Sequence, residues 1–225
     1  MQITLDRIRV LPGETLIIDA NWEEFNEILE ELGENHLGRI AYQNGQLHIM
    51  VPLPDHEHAK ERLGDFIKAL FEELDIDFCS LGSTTFKKME VLKGVEPDNC
   101  FYIQNADAVR GKDRLDLTVD PPPDLVIEID FRSRSYPEIY AALGVPELWQ
   151  YTKQGLQIKH LDRESRVYLA CSHSQYFPQL DLAVVLPEYL QRAKTERRNS
   201  VMRSFRAWVR EQIDDREGDR GQILQ

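Results

Sequence analysis

With 225 residues, of which 42% are hydrophobic and 29% charged, the chain has the make-up of one globular domain able to bury a sizeable core. No apolar run approaches the roughly 18–20 residues of a membrane span, so a membrane-spanning reading is set aside. The formal net charge of −12 excludes coating of nucleic acid by overall electrostatics, because phosphate binding then demands local positive charge.

The opening segment "MQITLDRIRVLPGE" lacks the basic-then-apolar layout of a signal peptide, which makes the cytoplasm the expected compartment. Next, "NWEEFNEILEEL" places Asn21 and Glu24 at capping-box spacing and Trp22, Phe25, Ile28, Leu29 and Leu32 on one face, which predicts an amphipathic helix. Asn44-Gly45 then separates two β-prone runs, and Asn-Gly supplies the positive φ angles of a tight hairpin. From Asp55 to Leu74, Leu63, Phe66, Ile67, Leu70 and Phe71 share a helical face suited to packing on a sheet. Strands are predicted at "DFCSL", "TTFKKMEV" and "NCFYI", and most clearly at "PDLVIEIDF". A short helix over about 135–143 is expected to end at Gly144, followed by a meander of "ELWQYT", "LQIKHL" and "RVYLAC". One long helix is predicted from about Pro187 to Gln212. The domain is thus taken as residues 1–212, with 213–225 a polar tail of disordered character.

Cys79, Cys100 and Cys171 show no metal-ligand spacing and are expected as reduced core residues. Residues 187–210 are locally basic, with Arg192, Lys194, Arg197, Arg198, Arg203, Arg206 and Arg210, and a solvated helix face is the favoured reading over a phosphate-binding one.

Three carboxylates stand out because they sit in segments otherwise built for burial. Side chains alternate along a strand, so Leu125, Ile127, Ile129 and Phe131 face one way and Val126, Glu128 and Asp130 the other. An unpaired buried carboxylate costs several kcal/mol, so such groups need cations, protons or strong donors. Hard divalent ions take oxygen ligands, and Asp98, just before the "NCFYI" strand, could complete a set with Glu128. A structural network with arginines would explain the same residues.

The segments "RIAYQNGQLHIMVPLPDHEHAKERL", "LGSTTFKKMEVLKGVEPDNCFYIQN" and "PPDLVIEIDFRSRSYPEIYAALGVPELWQY" together resemble the Uma2 family, a former domain of unknown function abundant in cyanobacteria. The resemblance covers roughly residues 10–185. It implies an α/β fold of the restriction-endonuclease-like, PD-(D/E)XK type: a mixed central sheet flanked by helices, with an N-terminal helix and hairpin and a long C-terminal helix. Matched residue by residue, the family's "PD" is Pro97-Asp98, its strand glutamate Glu128 and its helix-start histidine His56. Its "Y..LGV.E.W" falls on Tyr140, Leu143, Gly144, Val145, Glu147 and Trp149. The resemblance implies a Mg²⁺-dependent endonuclease acting on DNA, with Mn²⁺ a substitute, Asp98 and Glu128 as metal ligands, and Asp130 and His56 as further catalytic groups. A homodimer suits cutting of both strands.

The family's usual lysine before "Y..LGV" is missing, since no lysine lies between Lys112 and Lys153, and the position two after Glu128 is Asp130. Arg132 or Arg134 could stand in as a cation against substrate, although a guanidinium is a poor proton acceptor. Lys87 or Lys88 could reach a phosphate, against the plainer reading of edge-strand lysines that block pairing. The missing lysine favours an alternative: a catalytically impaired relative acting as a nucleic-acid-binding or protein-interaction module. A small-molecule phosphohydrolase would suit the acidic charge, but no Gly-rich phosphate loop is present.

Overall fold

The computed structural model of the protein describes residues 9–33, 38–131 and 135–222, with backbone alone beyond 213. Local chemistry sets the first elements. Strand β1 (Thr15–Asp19) leads to helix α1 (Trp22–Leu32), whose Asn21 side chain accepts from the backbone of Glu23 and Glu24 while Glu24 bonds back to Asn21, the expected capping box. Strands β2 (Arg39–Gln43) and β3 (Gln46–Met50) form the hairpin, with Asn44 and Gly45 at φ of 53° and 74°. Helix α2 (Pro54–Glu73) begins on a proline at its first turn, where the missing N–H costs nothing.

The strand expected over "TTFKKMEV" is instead short. Strand β5 (Phe86–Lys88) gives way to a 3-10 turn at Met89–Val91, and Leu92 at φ 49° reverses the chain into β6 (Lys93–Val95). A leucine in the left-handed region carries no glycine-like signal in sequence, so the turn was not legible. Strand β4 is only Cys79–Ser80, and β7 covers Asn99–Tyr102. After α3 (Ala106–Val109) come β8 (Leu125–Asp130), α4 (Pro137–Leu143), capped by Gly144 at φ 89°, and the meander β9 (Glu147–Thr152), β10 (Gly155–Asp162) and β11 (Val167–Cys171).

The predicted single C-terminal helix is two. Helix α5 (Leu182–Thr195) starts five residues before Pro187, and Glu196 is extended before α6 (Arg198–Gln222), which continues past the expected end at Gln212. Proline suggested a helix start, but burial of Leu182 and Leu186 holds the preceding turn in place.

The strands divide into two sheets. The mixed sheet expected from sequence has the order β11-β10-β9-β8-β7-β4, with β8 and β9 parallel and the rest antiparallel. The hairpin belongs to a second, antiparallel sheet, β1-β3-β2-β6-β5. Helices α2, α5 and α6 cover one face of the mixed sheet, where Leu125, Ile127 and Ile129 meet Phe66, Trp149 and Phe205. Val126 on the opposite face joins Cys100, Tyr102, Ile139 and Tyr140. Helix α1 lies on the antiparallel sheet, Phe25 stacking on Tyr42 at 4.4 Å, and a Cβ at Gly94 would stand 2.7 Å from the Phe25 ring. The alternation predicted for β8 thus holds, and it turns Glu128 and Asp130 away from the large core toward the junction of the two sheets. The three cysteines are free, with Cys100 buried. Among the described residues no helix is long and apolar enough to cross a membrane.

Candidate active site

Asp98 precedes β7 and Glu128 lies in β8. These strands pair through Asn99 opposite Ile127, so the two carboxylates stand beside each other at the edge of the ladder. The Ile129 N–H donates to Asp98 Oδ2 at 2.8 Å, locking the aspartate to β8. Asp98 is 2% exposed, and two cations reach it. His56 Nε2, from the first turn of α2, lies 3.0 Å from Oδ2, and Arg39 Nε, from the start of β2, donates to Oδ1 at 3.3 Å. Glu57 extends the chain of charges: its Oε1 is 3.3 Å from His56 Nδ1 and 3.5 Å from Arg39, and Lys60 donates to its Oε2.

Burial alone would push the His56 imidazole down, but its contacts with Asp98 and Glu57 outweigh burial and hold it at about 9. The same pairing, with His56 first and Lys60 and Arg39 behind it, holds the Glu57 carboxyl down at about 2. Glu128 is the opposite case. Burial first, and the charge of Asp98 second, push its carboxyl well above the usual range, although the Tyr140 hydroxyl donates to Oε1. Tyr140 is itself buried and pushed well up by burial and by Glu128, so it remains a donor.

Asp130 is engaged on both oxygens. Ser135 N and Oγ donate at 2.9 and 2.8 Å, and Gln150 Nε2 donates at 3.0 Å. Burial still raises its carboxyl above the ordinary value. Gln150 in turn accepts from Lys159 and sits opposite Glu128 in the parallel pair. His48 points away from the core that Leu47 and Ile49 join, and meets the Tyr136 hydroxyl at 2.9 Å.

Arg39, His48, His56, Asp98, Glu128, Asp130, Ser135 and Tyr136 line one cleft of about 50 Å³, together with Glu96, which Thr85 bonds at 2.6 Å. Asp98, Glu128, Asp130 and His56 are therefore brought together. Lys87 and Lys88 are not: Lys87 bonds Asn26 on α1, and neither lines the cleft. Arg132 and Arg134 lie outside the described residues. Asp124 holds a turn, accepting from Ile103 and Asn105, and Trp149 and Tyr151 are core residues. The sequence pointed to Tyr140 only as a motif position, and Arg39, Ser135 and Gln150 carried no local signal, because each acts through a partner distant in the chain.

The donors suit a hard cation at two of the three acids. Asp98 and Glu128 offer carboxylate oxygens, and the neighbouring charge that raises Glu128 is what a divalent ion would relieve. Asp130 accepts from neutral donors on both oxygens, and a cation at Asp98 would share its oxygens with the Ile129 N–H, His56 and Arg39. Among the described residues no group of three His, Cys, Asp or Glu side chains is already gathered as a metal cluster.

Comparison with known proteins identifies the family and the fold. A family model described as "Uma2: Putative restriction endonuclease" matches residues 22–196. A crystal structure of "a putative nuclease belonging to DUF820" from Anabaena variabilis ATCC 29413 shares the fold, with a TM-score of 0.51 at 13% identity, over 84% of this chain and 98% of that one. No curated protein matches the chain.

Proposed function

The chain belongs to the Uma2 family, and from that premise we propose that it is a nuclease hydrolysing DNA phosphodiester bonds with a divalent cation, Mg²⁺ or Mn²⁺, held by Asp98 and Glu128. One observation carries the reading: half-buried Glu128 stands directly beside a second carboxylate, the buried Asp98, whose charge opposes its own. Folding gains nothing from that repulsion, whereas a cation site requires it. Such a cation, when bound, lowers the pKa of water and offsets charge on the phosphate.

The chain's own residues set up the rest. Arg39 and His56 fix the orientation of Asp98 and bring positive charge to the cleft, where charge builds on an attacked phosphate. With its imidazole held at about 9, His56 is charged at neutral pH and serves as a donor and electrostatic group rather than a general base. Tyr140 orients Glu128, and Asp130 anchors the Ser135 and Gln150 side of the cleft. The reading takes the protein as a cytoplasmic homodimer, which sedimentation at twice the chain mass would support.

A second reading, a nucleic-acid-binding module without catalysis, is favoured by the lack of any lysine among the residues lining the cleft. Incubation of supercoiled plasmid with Mg²⁺, Mn²⁺ or chelator separates the two. Metal-dependent nicking by the native chain and none by Glu128→Gln supports the nuclease. Binding without cleavage in either metal supports the module, and equal cleavage by both proteins removes Glu128 from the site.

A further inference from the structure

The cleft does not end at the carboxylates. Thr15, Met50 and His56 are shared with a neighbouring hollow, which shares Asp55 and Phe131 with a larger groove of about 550 Å³ between the start of α2, the end of β9 and α5. That groove is basic in an acidic protein. Arg62, Lys153 and Lys194 line it against the single acid Asp55, and Phe131 and Tyr151 stand edge to face in its floor, with ring centroids 5.5 Å apart.

The condition of these cations matters more than their number. Arg192, Arg198, Arg206 and Arg210, on the same C-terminal helices, are each tied to an acid. Arg62, Lys153 and Lys194 make no ion pair with any described residue, and Lys153 and Lys194 are exposed. Unpaired cations clustered in a chain of net charge −12 retain their full attraction for an external anion. The groove's size admits a few nucleotides of one strand. Cations along a groove that also exposes part of the Phe131 ring, with Tyr151 buried behind it, make the general arrangement for tracking a single strand.

We propose that this groove binds a single strand of nucleic acid through its phosphates and leads it to the carboxylate cleft. The direction of travel rests on the nuclease reading, but the binding does not. The test is therefore made without catalysis: fluorescence anisotropy of a labelled single-stranded DNA oligonucleotide, and of a duplex of equal length, in chelator over a series of salt concentrations. For the variant Arg62→Gln/Lys153→Gln/Lys194→Gln, the slope of log K against log salt is expected to fall by about 2, with binding about 10- to 100-fold weaker near 0.1 M salt. The exposed pair Lys153→Gln/Lys194→Gln, which spares half-buried Arg62, should lose about 1.4 of that slope. Arg197→Gln/Arg203→Gln, exposed just before and within the first turns of α6 and not lining the groove, should bind like the native chain.

An unchanged slope in the triple variant overturns the proposal, as does an equal loss in the α6 control. Preference for the duplex overturns the single-strand assignment, and stronger competition by polyglutamate than by oligonucleotide transfers the groove to an acidic peptide. Should the native chain cleave in neither Mg²⁺ nor Mn²⁺ while the groove variants lose binding, the nuclease assignment falls and the groove stands. The reverse pattern sinks the groove alone.

Discussion

The carboxylate cleft and the seam between α2 and α6 are both crowded with opposite charges, yet they are held together differently. Along the seam Arg198 meets Asp65 at 2.7 Å, Arg206 meets Glu73 at 2.7 Å, and Arg210 meets Glu73 at 2.6 Å, mostly at the surface. Beneath them Phe66 and Phe205 pack with ring centroids 4.9 Å apart. Exposed pairs of this kind contribute about 0–1 kcal/mol each, so apolar packing joins the helices and the arginines keep their surface wet. In the cleft the order is reversed. Charged groups are buried, two carboxylates adjoin, and the imidazolium of His56 is tied to one of them. The seam is what folding favours, and within the cleft the contact of Glu128 with Asp98 is what folding tolerates. A buried arrangement that costs stability points to work other than holding the chain together.

The sharpest way to break this contrast is Glu128→Gln. Cleavage should fall by at least about 100-fold, while stability at neutral pH should hold or rise. The sign follows from linkage. A carboxyl raised in the folded state keeps a proton that the unfolded chain sheds above its ordinary pKa, so stability declines as pH rises from there toward the raised value. Glutamine does not titrate and removes that decline. Urea unfolding at pH 7 that shows a loss of stability would return Glu128 to the structural network.

Within the seam the core residue should outweigh every charge. Phe205→Ala is expected to cost about 3–5 kcal/mol, read from the denaturation midpoint. A cost near that of an arginine substitution would mean that the ion pairs hold the helices.

The His56 pairing gives the cleft a pH signature. Its folded-state value of about 9 exceeds the ordinary 6.5, so the stabilisation is complete below pH 6.5 and is lost as pH climbs through 9, a difference of up to about 3 kcal/mol. His56→Gln should flatten that limb of the stability profile. A native profile level between pH 6 and 9.5 would show that His56 is not charged in the fold.

The smallest effect belongs to the seam's surface. Arg206→Ala should cost about 0.2–1 kcal/mol and less at high salt, checked by thermal unfolding at two ionic strengths.

These contrasts also mark how far the sequence could be read. The α1 capping box, the Asn44-Gly45 turn, the α2 apolar face and the alternation in β8 were legible because each depends on residues within a few positions of one another. Asp98, Glu128, Asp130 and His56 were singled out by type and by family resemblance, and the fold gathers them in one cleft. The C-terminal break at Glu196 and the turn at Leu92 escaped notice, because an extended glutamate and a left-handed leucine have no compositional mark.

By itself the sequence determined the elements and their faces, since propensity, capping and periodicity are properties of short stretches of chain. Only the tertiary structure decided which charges meet. Arg39 finds Asp98 across 59 residues, and Arg198 finds Asp65 across 133. Lys87 turns to Asn26 rather than to the cleft, while Arg62, Lys153 and Lys194 come to line one groove. Electrostatic interaction depends on distance and burial in space, and neither is a property of spacing along the chain.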